Sequence, residues 1–180
     1  MSREADLIRG AKLRRDEYRI CTDPDLVDEY ERLVEAKAAA TVRDADSLAG
    51  GQAIEIQSEI DALREEMEEA TVTLVLQALS RREYAALVDK HPPRKDAEGV
   101  TLPVDVRYGV DYEGFFNELA RRSIVAPELD AQTLDLLIDE KLSDGQWEDL
   151  TTRCGKLNRT TVDVPFWPAG SPSRRRSSAS

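Results

Sequence analysis

Residues Thr71–Arg94 read TVTLVLQALSRREYAALVDKHPPR, and they set a strand directly against a helix. The opening TVTLVL, Thr71–Leu76, is β-branched and apolar, which predicts a strand. Ser80 with Glu83 three positions on forms a capping box, so a helix begins there. Tyr84, Leu87 and Val88 give that helix its apolar stripe, and Pro92-Pro93 ends it. Upstream, Tyr18 and Ile20 alternate with polar neighbours in Glu17–Cys21, the pattern of a second short strand. The two strands are expected to pair antiparallel, with everything between them an excursion.

That excursion reads as two helices. Asp23 is placed to cap the first, with Pro24 at its first helical position. Leu26, Tyr30, Leu33, Ala36 and Ala40 keep to one face, although a strict coiled-coil rhythm would put Lys37 in the seam. Gly50-Gly51 breaks the helix, and a second runs to about Glu69 with the seam Ile56, Ile60, Leu63 and Met67. Its outer face is acidic: Glu59, Asp61, Glu65, Glu66, Glu68 and Glu69. Two stripes of similar length predict an antiparallel, coiled-coil-like hairpin, or alternatively stripes that each pair with a neighbouring subunit.

Downstream, Lys95–Gly109 reads as a loop with one extended piece, Leu102–Val106. Three short helices follow. Asp111 caps the first, which buries Phe115, Phe116 and Leu119; Asp130 caps the second, which buries Leu134, Leu137 and Ile138. The third lies in LSDGQWEDLTTRCGKLNRTTVDVPF, Leu142–Phe166, where Ser143 and Gln146 form another capping box ahead of Trp147, Leu150 and Leu157. Val162, Val164 and Phe166 then alternate in an extended segment. The fold class is therefore mainly α with a small β component: a helical hairpin between two short antiparallel strands, followed by a compact multi-helix region. By residue number this gives a polar N-terminal segment (1–15), ordered only where Leu7, Ile8 and Leu13 find a partner. A strand–hairpin–strand unit (16–78), a compact helical region (79–167) and a basic, serine-rich disordered tail (168–180) follow.

The composition argues against several chemistries. Over 180 residues the net charge is −11, which repels a phosphate backbone. No stretch approaches the roughly 18 apolar residues that span a bilayer, and no signal peptide opens the chain, so a cytoplasmic location is expected. The two cysteines, Cys21 and Cys154, are far apart and read as buried free thiols. His91, the single histidine, stands at a helix C-terminus where it complements the helix dipole. Asp44, Asp46 and Glu55 fit the first, third and twelfth positions of a calcium loop, but Leu48 offers no side-chain oxygen and Ala49 stands where the sharp turn needs glycine. No titratable set converges, so no catalytic residue, metal or cofactor is expected. Arg174-Arg175-Arg176 with its flanking serines reads as a solvated tail, or alternatively as a site for an acidic partner. Phe166 and Trp167 form either an arm folded back on the core or an exposed recognition strand.

The order and spacing of several motifs carry a resemblance. Leu79-Ser80-Arg81-Arg82-Glu83 with His91-Pro92-Pro93, then Ser143-Asp144-Gly145-Gln146-Trp147, then Leu157-Asn158-Arg159 and Val164-Pro165-Phe166, resemble tail assembly chaperones of long-tailed phages and prophages of actinobacteria. The similarity extends over most of the chain, including the Asp46–Gly51 DSLAGG turn. The resemblance implies a non-enzymatic protein without cofactor that binds the tape-measure protein and keeps it soluble before tail-tube assembly. Candidate partner-binding residues are Phe115, Phe116, Trp147, Phe166 and Trp167, with the first three supplying a groove and the hairpin mediating self-association or a second contact. Two other readings stand beside it: a structural virion accessory protein of the head–tail or tail, and a cytoplasmic coiled-coil regulatory or antitoxin-like module.

Overall fold

A computed structural model of the protein describes residues 2–45 and 51–161. The Asp46–Gly50 part of the hairpin turn and the whole of 162–180 lie outside the described residues. So do the expected extended segment with Val162, Val164, Phe166 and Trp167, the Arg174–Arg176 run, and the calcium-pattern positions Asp46, Leu48 and Ala49.

The expected strands form and pair antiparallel. β1 (Arg15–Cys21) and β2 (Thr71–Gln77) are in register from Arg15↔Gln77 to Cys21↔Thr71, so Tyr18 faces Leu74 and Ile20 faces Val72. Alternation sends Tyr18, Ile20, Leu74 and Leu76 to one face, where all four are buried. A third strand, β3 (Ile124–Ala126), pairs antiparallel with β2 and completes the order β1-β2-β3. Three residues are too few to show a period, which is why the sequence pattern passed over it.

The excursion is a helical hairpin within one chain. α2 (Pro24–Ala45) starts where expected, with the Asp23 carboxylate accepting from the Asp25 amide at 3.1 Å. α3 (Gln52–Glu69) returns to the sheet. Leu33, Ile60 and Leu63 are buried between the two helices, flanked by Leu26, Tyr30, Ile56 and Met67. The stripes therefore meet each other. Lys37, the residue that spoiled the heptad rhythm, is half-buried and its Nζ donates across the seam to Gln57 Oε1. Asp44 accepts from the amides of Gly51 (3.2 Å) and Ala53 (3.0 Å), which satisfies donors at the start of α3.

The compact helical region packs on the buried face of the sheet. α4 (Arg81–Lys90) and α8 (Asp144–Arg159) both carry the expected two-way capping boxes, Ser80 with Glu83 and Ser143 with Gln146. α6 (Tyr112–Ser123) is capped by Asp111, and α7 (Ala131–Asp135) by Asp130. Past Asp135 the chain loosens into a π-helical turn over Leu136–Lys141, closed by the Leu142 amide donating to the Leu137 carbonyl at 3.0 Å. One core joins Tyr18, Ile20, Leu74 and Leu76 to Leu87, Phe115, Leu119, Leu150 and Cys154. Among the described residues the sheet and the helical region thus share one interior, and the hairpin has an apolar cluster of its own. Asn158 ties the end of α8 to the strand–helix junction: its Oδ1 accepts from the Leu79 amide and its Nδ2 donates to the Cys154 carbonyl, each at 2.8 Å.

Two expectations need correction. Leu102–Val106 is not extended. α5 (Pro103–Tyr108) occupies it, with Pro103 in the first helical turn and Gly109 at φ 74° ending it in the left-handed region. Val104 and Val106, the valines of that stretch, are both exposed on the helix. The N-terminal segment, in turn, forms α1 (Arg3–Arg9) although Leu7 and Ile8 are 65% and 76% exposed. Ser2 capping the Ala5 amide, rather than apolar burial, defines it.

Core and surface positions should separate cleanly on truncation. Leu119→Ala, at a fully buried position on α6, is expected to cost about 3 kcal/mol in urea denaturation. Val42→Ala, on an exposed turn of α2, should stay within about 0.5 kcal/mol of the parent.

Candidate functional site

Gly109 and Asp111 bring α5 and α6 close together, and a carboxylate locks them. Asp105, on α5, is completely buried. Its Oδ2 accepts from the Arg94 amide (2.8 Å) and Arg94 Nε (3.0 Å), and its Oδ1 from Arg94 Nη2 (3.0 Å) and the Tyr112 amide (3.1 Å). Arg94 Nε also lies 2.9 Å from Asp111 Oδ1, and the Asp111 amide donates to the His91 carbonyl at 3.0 Å. The end of α4, the whole of α5 and the start of α6 are fastened in one knot. The Arg94 hydrogen bonds hold the Asp105 carboxyl well below the usual carboxylate range against the opposing effect of burial, and the Tyr112 and Arg94 amides add to the shift. At Gly114 a Cβ would sit 2.4 Å from Asp111 Oδ2 and 3.0 Å from His91 Nδ1, so no side chain fits there.

The knot aims a file of aromatic rings outward. Tyr108 meets Tyr112 at 4.8 Å between centroids, Tyr112 meets Phe116 at 5.1 Å, and Tyr112 meets Trp147 edge-on at 5.8 Å. Trp147 Nε1 donates to Asn117 Oδ1 at 2.6 Å, which fixes the indole against α6. Beside this file an open groove of about 650 Å³ has Tyr112, Trp147, Val104, Ile138 and Leu142 for its apolar lining. Glu113, Asp139 and Asp144 contribute carboxylates. Arg94 and Asn117 complete the lining, and the Arg94 charge is already matched by Asp105 and Asp111.

The expected groove residues divide. Trp147 lines it and is half-buried. Phe116 stands behind, sandwiched by Tyr108, Tyr112 and Phe115 and approached by Gly155 of α8. Phe115 is 2% exposed and belongs to the core, stacked edge-on with Tyr84 at 5.7 Å, so it does not supply groove surface. Phe166 and Trp167 lie outside the described residues. Sequence reasoning missed Tyr112, Val104 and Leu142, and above all Asp105. Pro103 and Gly109 were the available signal for the α5 helix that places them.

His91, Glu118 and the two cysteines are each held in the fold. His91 stands at the C-terminal end of α4 as expected, and its Nε2 lies 2.8 Å from Glu118 Oε2. Burial would push the Glu118 carboxyl up, but hydrogen bonds from Lys90, His91 and Arg122 outweigh it and hold the group at about 2. Burial pushes the Cys154 thiol up to about 11, so it stays protonated at neutral pH. Cys21 is half-buried at the edge of the sheet, less enclosed than expected, with Sγ donating to the Asp23 carbonyl at 3.3 Å. Among the described residues no group of three His, Cys, Asp or Glu side chains is arranged to hold a metal ion, and no helix is long and apolar enough to cross a membrane.

Two carboxylates set measurable expectations. Asp105→Asn, which leaves Arg94 half-paired in the knot, is expected to lower Tm by on the order of 10 °C at neutral pH. Glu118 is depressed, so its contribution is complete above its ordinary value of 4.5 and is lost as pH falls toward about 2. In Glu118→Gln, the fall of Tm across that interval should be shallower than in the parent, as followed by circular dichroism.

Comparison with known proteins finds no matching family model, no matching curated protein and no matching solved structure.

Proposed function

We propose that this protein is a non-enzymatic tail assembly chaperone that binds a phage tape-measure protein and keeps it soluble until the tail tube is built. The observation that supports the reading best is the groove beside Trp147. Its lining is divided between apolar side chains (Val104, Tyr112, Ile138, Leu142, Trp147) and polar ones that include Glu113, Asp139 and Asp144, and it is open to solvent. At about 650 Å³ it has room for apolar anchors from one helical face rather than for a whole helix. The complementary client is an amphipathic helix with aliphatic or aromatic anchors flanked by lysine or arginine. A long helical protein exposing such faces aggregates when unassembled, and an acidic holder of net charge −11 keeps the pair dispersed. Arg94, Asp105, His91 and Glu118 are tied into hydrogen bonds and ion pairs, which is consistent with a binding role.

Co-expression with a phage tape-measure protein tests the reading. The tape-measure protein should move from the pellet to the soluble fraction and copurify with this chain. Trp147→Ala removes the central anchor site and should weaken copurification by about 2 kcal/mol, or more than tenfold, while leaving the circular dichroism spectrum of the chain unchanged. Equal tape-measure solubility with and without this chain refutes the proposal. Recovery of the chain from purified particles would assign it instead to the virion structure.

A further inference from the structure

On this strongly acidic protein one groove is basic. It encloses about 340 Å³ and is lined by Arg14, Arg15, Arg153 and Lys156 against only two carboxylates, Asp16 and Asp149. Asp149 is already paired with Arg153 at 3.1 Å. Arg14 Nη1 donates to the Thr160 carbonyl and Arg15 Nε to Gln77 Oε1, each at 2.8 Å, so both guanidinium groups are hydrogen-bonded to neutral acceptors that leave their charge uncompensated. Lys156 is exposed and forms no ion pair among the described residues. The groove is therefore a positive site with no internal counterion of matching size.

The matching surface is on the same chain. Glu55, Glu59, Glu66 and Glu69 recur on α3 at spacings of four, seven and three, which aligns them on one helical face. All four are exposed, and none forms an ion pair among the described residues. Arg32, the cation that senses Glu59, is itself paired with Glu29. The two surfaces belong to opposite ends of the sheet. The groove sits at the Arg15 end of β1, whereas α3 departs from the opposite end, where Cys21 pairs with Thr71. A seven-residue strand spans about 20 Å between those two ends.

We propose that the basic groove of one copy receives the acidic face of α3 from a second copy. Because groove and face are different surfaces at opposite ends of the sheet, the contact is head-to-tail. Each added copy presents a fresh groove or a fresh acidic face, so the contact repeats until it closes into a ring or runs on as a chain. A nucleic acid is the poorer occupant, because a groove of four cations set against two carboxylates offers a long phosphate backbone few contacts. The α3 face brings its carboxylates on a rigid helix and at the same concentration as the groove.

Sedimentation velocity of the full chain tests this. Association should appear at about 50 mM NaCl and fall away by about 500 mM, as expected for contacts screened by salt. Lys156→Glu and Glu66→Lys alter solvent-exposed positions and should each weaken association roughly tenfold while Tm stays unchanged. An equimolar mixture of the two variants should recover it, since a reversed groove then meets a reversed face. Replacing Arg174, Arg175 and Arg176 with alanine should leave association unaltered. A chain that remains monomeric at low salt overturns the proposal. So does association indifferent to both reversals, no recovery on mixing, or association that depends on the Arg174–Arg176 run instead of Lys156.

Discussion

The fully buried carboxylate of Asp105 is the constraint on which the helical region depends. An ionised group removed from water is tolerated only when its lone pairs are met, and here Arg94 and the Tyr112 amide meet them. Because the donors come from different segments, satisfying one carboxylate fixes the angle between α5 and α6 and the path of the chain leaving α4. The aromatic file follows from that angle. Tyr108 stands on α5, Tyr112 and Phe116 on α6, and Trp147 reaches them from α8. A weaker fastening would let these rings slide, and the groove beside them would lose its shape.

The contrast with the hairpin is energetic as well as geometric. The main interior gathers residues from all three strands' neighbourhood and from four helices, so a change at Leu119 is felt through the sheet. The hairpin rests on Leu33, Ile60 and Leu63 with a few half-buried neighbours. Local opening of α2 and α3 therefore disturbs little outside them, and the low-stability end of the molecule lies there. The Lys37–Gln57 bond across the seam suits such a unit, since a polar pair fixes the register of two helices without adding much apolar contact.

Much of this architecture could be read from residue pattern, and the failures have physical causes. Capping residues were the dependable signals: Asp23, Ser80, Asp111, Asp130 and Ser143 all sit at helix starts in the structure, because each satisfies backbone amides that nothing else can reach. The strand pair was legible from the alternation of Tyr18 with Ile20 and the β-branched run at Thr71. The extended reading failed at Leu102–Val106, where β-branched valines exposed to solvent sit on a helix. β3 and the π turn escaped because both are made by tertiary context: Ile124–Ala126 becomes a strand only because β2 has an unpaired edge. Of the candidate site, Trp147 was legible and Phe115 was misplaced, since two adjacent phenylalanines on a helix necessarily point in different directions and only one can face the interior. Asp105 gave no sign, because a buried acid looks like any other acid until its arginine is known.

The junction between sheet and hairpin leaves one dimension of the molecule unspecified by the rest. Thr22 donates its amide to the Ala70 carbonyl at 2.8 Å, so the outgoing and returning chains are stapled together at the root of the arm. Whatever lies beyond that staple adds no strain to the body. Whole turns inserted or deleted in step on both helices would lengthen or shorten the projection without moving a single strand. In descent or in design, the reach of this arm is thus a dial that turns independently of the platform that bears it.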